Sequence, residues 1–350
     1  MKGTRARSIL ISTAAVLSMI GATATINAYA DDTGTTTTEA ATDTTPAIVE
    51  AADAFLATLT DDEEAAVLFD WSNTDQKTKW SNLPQGLYTR DGLMWGDMST
   101  EAQDAWLALM QATLSDEGYE QVREEWRADD ELGDSGPCCY GQEYYWVALI
   151  GTPSETDPWQ WQWGGHHVTV NATVAGSELA LYPSFIGAQP TSYDDDGTTV
   201  EPLGDVWDAA FAVVDSLDDA QKSEAVIGDE YIDLLYGPGE DDKEPVYEGV
   251  PASELTDAQK DLLLALISEY SGLANDEDAA TRTAEIEDTL DETYFAWSGP
   301  TTDTGDSYFR VTGPRVIIEY SPQAMGGDAA NHIHGIYRDP ANDYGAAITG

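Results

Sequence analysis

Tyr308-Phe309-Arg310-Val311-Thr312, Val316-Ile317-Ile318-Glu319-Tyr320 and His332-Ile333-His334-Gly335-Ile336-Tyr337 follow one another without helical spacing between them. Each run is rich in β-branched and aromatic residues, and such runs separated by short polar stretches read as consecutive strands. Working outward, Tyr144 to Ile150, Val168 to Val174 and Leu179 to Tyr182 carry the same signature. Helix signals surround these strand groups. A capping Ser, Thr or Asp stands three residues before Glu or Gln in Leu59-Thr60-Asp61-Asp62-Glu63 and in Ser99-Thr100-Glu101-Ala102-Gln103. Leu217-Asp218-Asp219-Ala220-Gln221 and Leu255-Thr256-Asp257-Ala258-Gln259 repeat the pattern, and acidic residues fill each first turn, where the helix dipole favours them. The four starts read as shared helix grammar rather than as a repeat. Helices in pairs and strands in groups, without βαβ alternation, predict an α+β fold: a mostly antiparallel sheet with helical pairs packed on it.

The first residues read as an address. Lys2, Arg5 and Arg7 precede an apolar run from Ile9 to Ile20, and Ala28-Tyr29-Ala30 offers a small-x-small cleavage site. Residues 1–30 are therefore expected to be a signal peptide, and the mature protein to be secreted and free of the membrane. Residues 31–46, nearly all Thr, Asp, Ala and Gly, lack the apolar surface to repay ordering and read as a disordered tether. Residues 47–350, roughly 300 in all, suffice for a single large domain.

The formal net charge is -50, from 65 Asp and Glu against 15 Lys and Arg. Phosphate contacts need basic side chains, so nucleic acid is excluded as a partner. The two cysteines, Cys138 and Cys139, are adjacent. Export favours a vicinal disulfide there, a small ring that staples nothing distant.

All four histidines fall in two motifs, Gly165-His166-His167-Val168 and His332-Ile333-His334. In an extended chain His332 and His334 project from one face, while the neighbours His166 and His167 face opposite ways, so one of them joins the first pair. Three imidazoles with an open position are a common way to hold a catalytic zinc; the donor set also suits copper and iron. A divalent metal is the expected cofactor. Glu319 interrupts an apolar strand and needs a partner or a role. With Arg338 and Asp343 it forms the candidate catalytic set. Trp159, Trp161 and Trp163 alternate onto one face; exposed, Trp161 and Trp163 would stack on a carbohydrate or other small-molecule substrate, and buried they would be core.

Trp71-Ser72-Asn73, Arg90-Asp91-Gly92-Leu93, the stretch from Tyr144 through Gly151-Thr152-Pro153-Ser154 to His167, Phe295-Ala296-Trp297-Ser298-Gly299, Gly313-Pro314, and His332-Ile333-His334 through Arg338-Asp339-Pro340 to Asn342-Asp343-Tyr344-Gly345 resemble the DUF3500 family. The resemblance runs from about residue 52 to the C-terminus and implies no particular activity. Gly133-Asp134-Ser135-Gly136-Pro137 imitates a serine-protease loop, but all four histidines lie downstream of Ser135, against the order in those enzymes. The residues alone point to a metal-dependent enzyme. Hydrolysis is favoured over copper or iron oxygen chemistry, since no Cys or Met flanks the histidines. The alternative is a secreted protein that binds metal or carbohydrate without turnover.

Overall fold

The computed structural model describes residues 44–135, 139–325 and 327–350. The signal peptide, nearly all of the tether and Cys138 lie outside the described residues. The first helix begins at Thr45, with Pro46 in its first turn, so the folded region opens two residues before the expected 47.

The first half of the described chain contains helices α1 (Thr45–Leu56) and α2 (Asp61–Val67), short strands β1 (Leu68–Phe69) and β2 (Leu93–Met94), and helices α3 (Thr100–Thr113) and α4 (Asp116–Ser135). An antiparallel run follows: β3 (Trp146–Ile150), β4 (Trp159–Gly164), β5 (Thr169–Ala175) and β6 (Ser184–Ala188). The second half repeats this order: α5 (Gly204–Ser216), α6 (Asp219–Ala225), β7 (Val226–Gly228), β8 (Val250–Pro251), α7 (Asp257–Ser271) and α8 (Asp276–Glu287). Then come β9 (Tyr294–Ser298), β10 (Tyr308–Thr312), β11 (Ile317–Pro322) and β12 (Ile333–Arg338).

The sheet reads the same from either edge: β1-β3-β4-β5-β6-β12-β11-β10-β9-β7, with β2 on β3 and β8 on β9. It is mostly antiparallel, the exceptions being the outermost pairs β1–β3 and β7–β9, which are both parallel. Small contacts repeat too. Trp95 N–H donates to Tyr145 O at 2.7 Å, and Ala252 N–H to Thr293 O at 2.7 Å. Gly165 N–H closes a turn onto Val168 O, and Gly313 N–H onto Val316 O. At the junction Ser115 N–H donates to Leu273 O while Asn275 N–H donates to Thr113 O, each half's helix–helix link reaching into the other's. The chain is therefore a duplicated unit arranged about a pseudo-twofold axis, which overturns the reading of the four helix starts as mere shared grammar. Thr60, Asp218 and Thr256 form complete capping boxes. At the remaining start the cap is Ser99, and Gln103 donates instead to Trp95 O.

The helices cover one face of the sheet, where α1 packs most extensively against α3 and α5 against α7, with lesser contact between α3 and α4 and between α7 and α8. This face is apolar. Trp159, Trp161 and Trp163 are fully buried there, with Trp106 of α3 edge-on to Trp161 and Trp126 of α4 edge-on to Trp163. The tryptophan row is core and presents no open ring face to a substrate.

The opposite face is polar yet buried, since each half folds its own β1–β2 or β7–β8 connection over it. In the first half Gln162 accepts from Gln76 at 3.1 Å and donates to Lys77 O at 2.8 Å, fixing the covering segment. In the second, Glu319 does the same work with charge. It accepts from Leu235 N–H, Tyr236 N–H and, at 2.6 Å, Tyr308 O–H.

Candidate metal centre

Three elements meet where the halves join. The four-residue turn between β4 and β5 carries His166 and His167; the start of β12 carries His332 and His334; and α4 presents Asp129. Gly187 of β6 makes the approach possible, because a Cβ there would lie 3.1 Å from His167 O and 2.7 Å from Ile333 O.

His332 is extended (φ -147°, ψ 108°) and leads into β12, so it and His334 project together. Its Nε2 lies 3.0 Å from His334 Nε2 and 3.0 Å from His167 Nε2. The two motifs thus converge on one point. His166 sits in the same tight turn rather than in a strand, and swings toward α4. There Asp129 Oδ1 lies 2.9 Å from His166 Nδ1 and 3.2 Å from His167 Nδ1. The ligand atoms of His167, His332 and His334 all lie within 4.8 Å of one another, and those of Asp129, His166 and His167 form a second such group.

The outer ring nitrogens complete the picture. His332 Nδ1 is 2.7 Å from Met325 O, an acceptor only, so the proton belongs on Nδ1 and Nε2 keeps its lone pair. Asp129 Oδ1, 3.2 Å from His167 Nδ1, favours a proton on that nitrogen through its charge, although the contact lacks hydrogen-bond geometry. His334 Nδ1 lies 3.4 Å from the Asn82 side-chain amide, which a half-turn converts from donor to acceptor. With the amide oxygen turned toward Nδ1, the three Nε2 lone pairs face one another at hydrogen-bond distance, an arrangement that a cation between them would satisfy. A proton is disfavoured in that place. Burial holds His167 down at about 3, aided by the charge of His166. Burial also lowers His332, and lowers His334 strongly, with His167 and His332 adding to the second effect. Burial alone would raise Asp129, but the interactions with His166 and His167 outweigh it and keep its carboxylate ionised well below the usual range.

Asp129 is the member of the cluster that the sequence reading missed. It stands on the stripe of α4 that buries Val122 and Trp126, at helical spacing from both, and is 1% exposed. A carboxylate on the apolar face of an amphipathic helix was the available signal.

The candidate catalytic residues lie elsewhere. Glu319 is fully buried and accepts from the main-chain N–H groups of residues 235 and 236 and from Tyr308 O–H. Arg338 is about 13 Å along β12 from His334 at 3.3 Å per residue. It holds Tyr236 O, Asp241 and Asp343. Burial pushes Asp343 up to about 6, Arg338 offsetting only part of the effect. Neither Arg338 nor Asp343 reaches the histidines.

Comparison with curated proteins and with solved structures yields no match. The family model described as "Protein of unknown function (DUF3500)" matches residues 41–346. With nearly the whole described chain covered, the protein belongs to the DUF3500 family.

Proposed function

We propose that this chain is a secreted metalloprotein that binds one divalent cation through the Nε2 atoms of His167, His332 and His334, and that it acts as a metal-dependent enzyme. One observation carries the reading: three imidazole nitrogens converge while each opposite nitrogen rests against a group that can accept its proton. Metal-bound histidines characteristically use their second nitrogen in this way. The spacing suits the ion, since nitrogens 2.0–2.1 Å from a tetrahedral zinc are about 3.3 Å apart, close to the 3.0 Å separations here.

Three protein ligands leave a position for water or substrate, the arrangement of a catalytic rather than a structural zinc site. A cation there lowers the pKa of bound water and polarises a carbonyl or phosphoryl oxygen, which supports hydrolysis. Copper or iron in the same nitrogen cage would instead support oxygen chemistry. The depth of His167 and His332, at 0% and 4% exposed, favours a second reading in which the ion is stored or structural. The buried tryptophan row removes the support for carbohydrate stacking.

Elemental analysis of the mature protein beside a His332→Ala, His334→Ala double variant tests the proposal. About one equivalent of zinc, copper or iron, lost in the variant, is the expected result, and the element chooses between hydrolysis and oxygen chemistry. Absence of metal from the wild type, even after reconstitution with each ion, would refute it.

A further inference from the structure

Arg90 is 7% exposed and forms no ion pair with a carboxylate among the described residues. Its guanidinium is instead held by main-chain oxygens. Nη2 donates to Ser81 O at 2.6 Å, to Leu83 O at 2.7 Å and to Gly165 O at 2.6 Å, while Nη1 makes no hydrogen bond to protein. A buried cation without a contacting anion is costly, so what it ties together is informative. Ser81 and Leu83 flank Asn82, whose amide meets His334 Nδ1 at 3.4 Å. Gly165 opens the turn that carries His167. One nitrogen thus fixes the distance between the residue that orients one imidazole and the turn that supplies another.

The segment bearing Asn82 is anchored on its N-terminal side by Trp80, which is buried, packs against Phe185 and donates Nε1–H to Tyr344 Oη at 2.8 Å. An ion pair between Lys79 and Asp91 closes its base, and Trp146 Nε1–H donates to Gln85 Oε1 at 3.2 Å. Leu83 and Leu87, at 43% and 73% exposed, show that its tip is not packed into the core. Among these ties Arg90 is the one that reaches the histidine turn itself.

We propose that Arg90 is a positioning residue for the metal centre: its guanidinium locks the Asn82 segment to the histidine turn and so sets the mutual geometry of His334 and His167. This rests on the three-histidine reading above. Lysine cannot replace it, because a compact ammonium on a flexible stem does not reproduce a planar donor reaching three carbonyls.

The test titrates metal-free wild type, Arg90→Lys and Asn82→Ala with cobalt(II), following its visible absorption, and with zinc against a chromophoric chelator. Thermal unfolding of each metal-free protein is measured alongside. Both variants should bind at least about tenfold more weakly than wild type, the size of effect seen when partners of metal-bound histidines are lost. The cobalt spectrum should shift in both, and the double variant should lose little more than the weaker single one, because both act on one path. A purely structural role would lower thermal stability yet leave affinity and spectrum of the folded protein unchanged. Arg90→Lys protein that folds and binds within threefold of wild type with the wild-type spectrum overturns the proposal. If Arg90→Lys does not fold, wild-type affinity in Asn82→Ala overturns it equally. Failure of the wild type itself to bind cobalt would instead remove the metal centre on which the proposal stands.

Discussion

Replacing Asp129 by Asn probes the centre without touching any of the three histidines that supply the converging Nε2 atoms. The two side chains have the same shape, so the substitution removes charge from a site that is 1% exposed while leaving an oxygen able to accept. In the wild type one carboxylate oxygen lies 2.9 Å and 3.2 Å from two imidazole Nδ1 atoms. Hydrogen bonds to a charged acceptor contribute about 1.5–3 kcal/mol against about 0.5–1.5 for neutral pairs, so the metal-free protein should lose about 1–3 kcal/mol, less whatever is recovered by no longer burying a charge. The effect on metal should be the larger signal. A carboxylate behind a histidine ligand fixes its tautomer and raises its basicity, and its loss costs about 10–100-fold in affinity, or about 1.4–2.7 kcal/mol.

The assay is competition between the protein and a chromophoric chelator for zinc at neutral pH, with His334→Ala as the control that removes a ligand. The expected order of affinity is wild type, then Asp129→Asn, then His334→Ala. If Asp129 were itself a ligand, through its grouping with His166 and His167, its loss would match that of His334→Ala. Affinity of Asp129→Asn within threefold of wild type, with His334→Ala much weaker, would refute the argument that Asp129 orients His167.

Three further outcomes follow from the packing and the charges. Trp161→Ala should destabilise the protein by about 3–5 kcal/mol in urea unfolding, as befits a fully buried indole against Trp106, and a change below 1 kcal/mol would contradict its place in the core. Because the folded protein holds His167, His332 and His334 below their ordinary 6.5, the unfolded chain takes up protons first as pH falls. Stability of the metal-free protein is then fully present above about 6.5 and declines below it, more steeply than in a His334→Ala variant; equal slopes for the two would show that these histidines are not responsible. Gly92 (φ +116°) and Gly249 (φ +97°) occupy equivalent places, and an added Cβ would lie 2.1 Å from Val147 O and 2.1 Å from Phe295 O. Gly92→Ala and Gly249→Ala should therefore each cost at least about 2 kcal/mol in denaturant unfolding, and tolerance of either would weaken the equivalence of the halves.

The strand groups and helix starts were legible because they depend on local pattern: alternation, capping oxygens and acidic first turns. The pairing of His332 with His334 was legible for the same reason, as a period of two along a strand. The duplication was not. Equivalent positions keep only what the backbone demands, so the turn Gly165-His166-His167-Val168 and its counterpart Gly313-Pro314-Arg315-Val316 share just the glycine and valine that close it. Asp129 was hidden among 65 acidic residues, and it shares its buried stripe beside Val122 and Trp126 with Glu125. Glu319 shows the opposite failure. A charge inside a buried strand does require partners, but pattern alone could not tell that they are main-chain N–H groups of a covering segment. The alternating tryptophans defined a face correctly without revealing that α3 and α4 lie over it.

The pseudo-twofold axis generates two equivalent corners, and comparing them shows how each ties the halves together. In each, a tight turn of one half meets the start of the other half's inner strand beneath a long helix. The second corner holds Arg315 in the turn, Arg282 on α8 and Tyr182 ahead of β6. Arg282 stacks 4.7 Å from the Tyr182 ring and lies 2.6 Å from Asp339, which also meets Arg315 at 3.0 Å, while Glu285 pairs with both guanidinium groups. Two positive charges and two carboxylates close that corner internally. The first corner places Asp129 and the imidazoles in the same positions, with Arg90 bonded to the turn through Gly165 O. A divalent ion on the three imidazoles would add positive charge beside Asp129, as the arginines do beside Asp339 and Glu285. It would also bridge a turn of one half to a strand of the other, as Arg282 does when it stacks on Tyr182. On the metal reading proposed above, one corner would tie the halves through arginine and carboxylate and the other through imidazole and an ion, which would gather the histidines in one of them.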